Sequence, residues 1–263
     1  MRAKFMREVA AAGLPPGPGP DSSATDADLA GLPDSVQRYL RFMGVVGQPR
    51  VWSFRLAFTG RFRRSPNDAW MKCEAWQYNN RLAVARIFHI RARFRGLLPV
   101  LARDTYVEGN GRMLIRLLDF VTVGDGTGAE YDIGELVTYL NDAIMMAPSM
   151  LLVPEARWSA VDASSFNVTL TDRGRTVTAR VFVDERGAPT NFSTTDRFAA
   201  DPKDSNKLVR TQWTTPIEGW QEVGSHRLWT RGRAIWHMPE GEFAYADFTP
   251  IPGTLAFNVA PGD

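Results

Sequence analysis

The stretch RDTYVEGNGRMLIRLLDFVTVGDGTGAEYDIGELVTYLNDAIMMAPSMLL, residues 103–152, decides the fold, because a strand hairpin here hands over to the chain's only long amphipathic helix. Asp132-Ile133-Gly134-Glu135 has the form of a capping box, with Asp132 as N-cap and Glu135 at the third helical position. Ile133, Leu136, Val137, Leu140, Ile144 and Ala147 then make one apolar stripe, and Pro148 kinks or ends the helix. Thr138, Asn141 and Asp142 fall on the opposite face. A helix with one apolar stripe must cover something apolar, and almost everything around it reads as strand.

Working outward, Trp52, Phe54, Leu56 and Phe58 alternate with Ser53, Arg55, Ala57 and Thr59, the pattern of a half-buried strand. Similar runs cover residues 70–78, 81–90, 97–108 and 112–123 before the helix. After it they cover 157–161, 166–171, 176–184, 189–198, 208–215, 228–237 and 242–249. Gly109-Asn110-Gly111, Asp172-Arg173-Gly174, Glu185-Arg186-Gly187 and Pro239-Glu240-Gly241 are turn sequences between them. Such short connections require antiparallel neighbours, since parallel crossovers need a dozen or more residues. The expected fold is α+β and mostly β. It is a single strongly curved antiparallel sheet, a half-barrel, with one principal amphipathic helix on its concave side and short N-terminal helices.

Residues 1–14 can form a helix that Leu14-Pro-Pro-Gly-Pro-Gly-Pro20 breaks, so residues 1–32 read as an N-terminal helix and linker and 33–263 as the half-barrel domain. Pro33 opens a second helix, with Val36, Tyr39, Leu40 and Met43 at helical spacing and Gly44 where a left-handed cap is wanted. Gly124-Asp125-Gly126-Thr127-Gly128 matches neither the dinucleotide fingerprint nor the P-loop and reads as a flexible turn.

With 44% hydrophobic and 23% charged residues, the 263-residue chain has an ordinary globular composition and can bury a full core. Lys plus Arg is 31 against 29 for Asp plus Glu, and no basic run interleaves with aromatics, so nucleic acid is not an expected partner. Arg86, Arg91, Arg93 and Arg95 read as a solvated sheet face. Cys73 is the only cysteine, which excludes an intrachain disulfide and a cysteine-rich metal site. Met1–Leu14 lacks the uninterrupted apolar core of a signal peptide, and no window approaches the roughly 20 apolar residues of a membrane span. The expectation is a soluble cytoplasmic protein without integral membrane association; its oligomeric state is open.

The hairpin carries the candidate chemistry. For a tip at Gly109-Asn110 or at Asn110-Gly111, Asp104, Tyr106, Glu108, Met113, Ile115 and Leu117 share one face. Arg103, Thr105, Val107, Arg112, Leu114 and Arg116 share the other, whose arginines mark it as the solvent side. Asp104 and Tyr106 therefore point inward, and a buried carboxyl with a raised pKa can act as general acid or base. Asp104 and Glu108 are about 13 Å apart along a strand, too far for a glycosidase pair. His89 and His237 lie in separate strands without ligand spacing and read as sheet-surface residues. There is no Gly-x-Ser-x-Gly elbow, and neither metal nor cofactor is expected. Eight tryptophans, with Trp213, Trp220, Trp229 and Trp236 grouped toward the C-terminus, suit an apolar cavity.

The order of elements resembles the lipoprotein-carrier (LolA-like) fold. Residues 175–189 resemble its strand–turn–strand hairpin. Ala75-Trp-Gln-Tyr-Asn79, Arg103-Asp-Thr-Tyr106, Tyr139-Leu-Asn-Asp142 and Gly241-Glu-Phe-Ala-Tyr245 resemble a family of uncharacterised bacterial proteins across residues 30–260. The resemblance implies a fold and no activity.

Three functions fit these features. The first is binding of a hydrophobic small molecule or lipid between sheet and helix. Its walls would include Trp52, Tyr106, Met113, Leu136, Leu140, Trp213 and Trp236, and its polar handles Gln77, Asn141 and Tyr245. The second is a cofactor-independent cyclase, isomerase or hydrolase acting on an apolar substrate through Asp104 and Tyr106, with Arg112 or Arg197 as oxyanion partner. The third is a non-catalytic interaction module.

Overall fold

The alternation beginning at Ser53 becomes a meander of six antiparallel strands in the computed structural model, which describes residues 2–18, 23–94, 96–201, 204 and 207–263. Three short helices come first: α1 (Arg2–Ala11), α2 (Asp26–Leu29) and α3 (Asp34–Phe42). The meander is β1 (Ser53–Phe62), β2 (Met71–Asn80), β3 (Ala85–Phe94), β4 (Leu98–Val107), β5 (Asn110–Leu117) and β6 (Val121–Thr127). Helix α4 (Ala129–Met146) follows. A second meander comprises β7 (Ala156–Asp162), β8 (Ser165–Asp172), β9 (Arg175–Val183) and β10 (Pro189–Thr194). β11 (Phe198–Ala200) and β12 (Leu208–Arg210) pair with each other in a separate two-stranded sheet. The remaining strands are β13 (Trp213–Thr214), β14 (Ile217–Val223), β15 (His226–Met238), β16 (Gly241–Pro250) and β17 (Ala256–Phe257).

The large sheet runs β6-β5-β4-β3-β2-β1-β16-β15-β13-β10-β9-β8-β7, with β14 added to β15 and β17 to β1. It is curved, mostly β and open, with β6 and β7 as its two edges. Helix α4 is the connection between those edges. The chain leaves one rim and reaches the other through α4, which packs on the inner face of the sheet.

This crossing explains the burial of α4. Every residue from Gly134 to Met146 is buried, not one stripe alone. Leu136, Leu140, Ile144 and Met145 pack in one core with Phe54, Leu56, Phe58 and Phe88 of the inner sheet face and with Phe166, Val181 and Phe192 of the second meander. Full burial of each such side chain contributes about 1.5–3 kcal/mol. Glu135, Thr138, Asn141 and Asp142 are consequently buried too, where the sequence pattern placed the last three on an outward face.

The helix also begins earlier than the capping pattern predicts. Gly128, at φ 109°, is its N-cap, and 124–127 belong to strand β6, not to a flexible turn. Asp132 accepts the Gly111 N–H at 2.7 Å and the Arg175 guanidinium at 2.6 Å, so it ties the first turn of α4 to β5 and β9. Gly111 and Gly126 make room for that turn: a Cβ would lie 2.2 Å from the Tyr131 carbonyl oxygen in the first case and 2.0 Å from the Tyr131 ring in the second.

Other departures have local causes. The β4–β5 hairpin turns at Glu108-Gly109, both at positive φ, two residues from one expected register; Asp104 and Met113 therefore keep their common inner face and now pair directly, while Glu108 leaves the strand. Leu118-Asp119, also at positive φ, splits residues 112–123 into β5 and β6 without a glycine to mark the turn. Asn80 accepts the N–H groups of Leu82 and Ala83, delaying β3 to Ala85. Strand β14 has no counterpart among the expected runs.

On the outer face, α1 lays Phe5 and Val9 against Tyr78 and Ile87. His89 is fully buried beneath it, edge-on to Phe5 and 2.8 Å from Glu8, not on the surface. Arg86 is likewise buried, on the inner face, whereas Arg91 and Arg93 lie on the outer one and Arg95 falls outside the described residues, as do linker residues 19–22.

Candidate functional site

Alternation along β3 and β4 sets the first wall. Arg86, Phe88 and Ile90 pair with Tyr106, Asp104 and Ala102 on the inner face, and Asp104 and Ala102 pair in turn with Met113 and Ile115 of β5. The inner face has two zones. Under α4 it is closed, with Phe54, Leu56, Gln77 and Asn79 buried. Beyond the helix it is only partly buried, through Val100, Ala102, Asp104, Met113, Ile115 and Leu117, and ends at a rim where Leu97 is 80% and Phe120 74% exposed.

The opposite wall comes from β13, β15 and β16. A register shift between Ala234 and Ile235 of β15 bulges β16 at Tyr245. Tyr245 thereby stacks on Trp236 at 6.1 Å and accepts the Trp213 indole N–H at 3.1 Å. Arg197, in the segment between β10 and β11, has its guanidinium 4.4 Å from the Trp213 ring centre and 5.4 Å from that of Trp236. It donates to Thr138 of α4 at 2.9 Å. Its Nε is buried without a partner, and it makes no ion pair among the described residues.

The third side is the polar face of α4. Arg86 donates to Asp142 at 2.7 Å and to Glu135 at 3.0 Å, while its guanidinium lies 4.7 Å from the Phe88 ring centre. Asn141 accepts the Thr215 hydroxyl at 2.6 Å, and Gln77 donates to Asn79 at 3.0 Å. Burial raises the Glu135 carboxyl to about 7; the charge of Asp104 adds to this, against the pull of Arg86 and Arg197. Burial also raises Asp104 and Asp142, opposed most by Arg86 in each case. Asp104 accepts no hydrogen bond among the described residues. Asp104 and Arg197 thus border the partly exposed zone of the inner face, beside the indoles of Trp213 and Trp236 and the buried Arg86–Glu135–Asp142 cluster. Asp104 and Arg197 together can hold a group that both donates and accepts hydrogen bonds. Among the described residues no three His, Cys, Asp or Glu side chains are placed to hold a metal ion.

Of the residues singled out from the sequence, Asp104, Arg197, Trp213, Trp236, Tyr245 and Met113 come together around this half-open space. Gln77 and Asn141 border it from within the buried network. Leu136 and Leu140 are fully buried core residues. Tyr106 is also fully buried, its hydroxyl donating to Asp172 at 2.6 Å, and burial raises its pKa strongly. Arg112 faces outward in a bidentate pair with Asp125. Trp52 packs on the Gly17 segment, away from the concave core. Sequence reasoning did not single out Arg86, Glu135 as its partner, or Thr138 as an Arg197 contact. The signal for Arg86 was present, because it shares strand parity with Phe88 and Ile90.

No curated protein matches the chain. Among solved structures, a LolA superfamily protein from Nitrosomonas europaea is similar at 12% identity and TM-score 0.44, covering 82% of this chain and 90% of its own. A β-barrel-like protein of a domain of unknown function (DUF1849) from Brucella abortus is similar at 8% identity and TM-score 0.28, covering 79% of this chain and 98% of its own. The sequence pattern of the family of unknown function DUF6544 matches residues 22–248, and the chain belongs to that family.

Proposed function

We propose that the protein binds a hydrophobic small molecule or lipid in the half-open concavity beside α4, with its polar end between Arg197 and Asp104 and its apolar part along Ala102, Met113, Ile115 and Trp236. The observation that carries this reading is Arg197, a guanidinium laid on two indoles with a buried, partnerless Nε, opposite a carboxyl that makes no hydrogen bond. A buried donor left unpaired costs about 1–3 kcal/mol, a cost a bound polar group removes. A carboxyl, amide or hydroxyl head can accept from Arg197 and engage Asp104 at once. The partly buried apolar strand face and the exposed Leu97 and Phe120 at the rim support an apolar tail. Native mass spectra of freshly purified protein, followed by solvent extraction, test the reading. A defined apolar adduct near unit stoichiometry is expected, and failure to take up any long-chain carboxylic acid, amide or alcohol on incubation would sink it.

A second reading, a cofactor-independent cyclase, isomerase or hydrolase in the same groove, is favoured by Asp104, an inner-face carboxyl that accepts no hydrogen bond among the described residues and whose pKa burial raises. Here Asp104→Asn abolishes turnover of a groove-bound substrate while the protein stays folded. Unchanged turnover removes Asp104 from the mechanism.

A further inference from the structure

A second concavity, independent of the groove beside α4, lies on another side of the molecule and is built mainly of arginine. Arg38 and Arg41 project from α3, Arg186 from the β9–β10 turn and Arg227 from β15, around a pocket of about 580 Å³. Phe42 and Trp220 form its aromatic floor, packed edge to face at 5.4 Å. Four guanidiniums line the space against the single carboxylate of Glu222.

The arginines are held in place from behind. Arg227 donates to the Phe42 carbonyl at 2.9 Å and sits 4.4 Å from the Phe42 ring centre, with Arg186 5.7 Å from the same ring. Arg186 uses Nε and Nη2 on Asp184, Arg41 uses Nη1 on Asp26, and Arg38 uses Nη2 on the Ala163 carbonyl. Each of these three keeps further N–H groups for a ligand. Gly187 brings the turn into position: at φ 88° it lies so close to α3 that a Cβ would be 2.5 Å from the Arg38 backbone. The carbonyl end of α3 would by itself repel an anion, but Arg227 occupies that end.

Four guanidiniums meet three carboxylates here, Asp26, Asp184 and Glu222, which leaves an excess of positive charge in a volume within the usual range for ligand sites. In the larger trough on the outer sheet face, about 1420 Å³, Arg61 and Arg231 share Asp247 and Arg91 is paired with Glu74. Around the smaller pocket Arg41, Arg186 and Arg227 are paired too, with Asp26, Asp184 and Glu222, whereas Arg38 meets only a carbonyl among the described residues. Planar guanidiniums with spare N–H groups match the tetrahedral oxygens of a phosphate, often two bonds at a time. We propose that this pocket binds a phosphate group carrying two or more negative charges, either in a small soluble molecule or at the head of a lipid.

Isothermal titration of the whole chain with inorganic pyrophosphate tests the soluble source. Cosedimentation with phosphatidylcholine vesicles containing phosphatidic acid tests the lipid source. Arg41 and Arg186 are exposed, so Arg41→Gln and Arg186→Gln leave the fold intact, as their thermal midpoints will show. Saturable 1:1 pyrophosphate binding, weakened about tenfold or more in each variant and unchanged in Arg61→Gln, supports the site with a soluble ligand. Vesicle binding alone, lost in the same two variants, supports it with a lipid phosphate. No binding in either arm, or binding that Arg41→Gln and Arg186→Gln leave unchanged, overturns the proposal.

Discussion

The Arg197 guanidinium lies 4.4 Å from the centre of the Trp213 ring, and this stack joins the loop after β10 to strand β13. The contact is a cation–π pair in a partly desolvated place, where such pairs contribute about 0.5–2 kcal/mol. Arg197→Gln is therefore expected to lower unfolding stability in urea by that order. Arg197→Lys restores the charge but not the planar stack, and recovers only part of the loss. Equal stability of all three proteins would show that the stack contributes nothing.

Arg86 is ion-paired with both Glu135 and Asp142 in the buried network. Its removal leaves two carboxylates without their cation, and Arg86→Met is expected to cost about 3–5 kcal/mol. Adding Glu135→Leu and Asp142→Leu should recover most of it, since a buried ion cluster replaced by apolar groups is often neutral or better. Urea denaturation of the single and triple variants measures both effects. A loss below about 1 kcal/mol for Arg86→Met would mean the network is solvated in solution.

Glu135 has a folded-state pKa of about 7, above its ordinary 4.5. The folded chain thus binds this proton more tightly than the unfolded chain, and stability falls as pH rises between those two values. The change attributable to Glu135 is about 3 kcal/mol. Asp104 and Asp142, shifted in the same direction, add to the slope. Glu135→Gln removes the glutamate's share, so its stability should decline less between pH 5 and 7.5. Parallel pH profiles for wild type and variant would contradict this assignment.

Two glycines near the same helix should respond in opposite ways. Gly111→Ala puts a methyl 2.2 Å from the Tyr131 carbonyl oxygen and must push α4 off β5, whereas a Cβ at Gly134 meets nothing within 4 Å. Gly134→Ala is expected to stabilise by about 0.5–1 kcal/mol through helix propensity. Thermal unfolding of the pair checks this, with Gly111→Ala melting lower and Gly134→Ala higher than wild type.

Period-two alternation made the first meander legible. It put Asp104, Tyr106 and Met113 on one face even though the turn fell at Glu108-Gly109, because registers two residues apart keep the same faces. Leu118-Asp119 hid the β5–β6 turn, since neither residue announces a left-handed conformation. The polar residues of α4 suggested a solvent face because a helix pattern records its own periodicity but not that a sheet wraps around it. Asp132 and Glu135 resembled a capping box, yet long-range partners on β3, β5 and β9 claimed both carboxylates. The tryptophans were legible as a group but not by place. Trp213 and Trp236 meet at the site, while Trp229 stacks on Phe58 and Trp70 lies on the outer face beneath Arg61. Only long-range strand order separates these cases.

The most direct measurement is a titration of the protein with cis-parinaric acid, a fluorescent fatty acid, alongside Arg197→Gln and the outward-facing Arg112→Gln. Saturable binding near one molecule per chain is expected, weakened about tenfold or more by Arg197→Gln and unchanged by Arg112→Gln. Absence of saturable binding, or equal affinity in wild type and Arg197→Gln, would contradict the placement of an apolar ligand's polar end between Arg197 and Asp104.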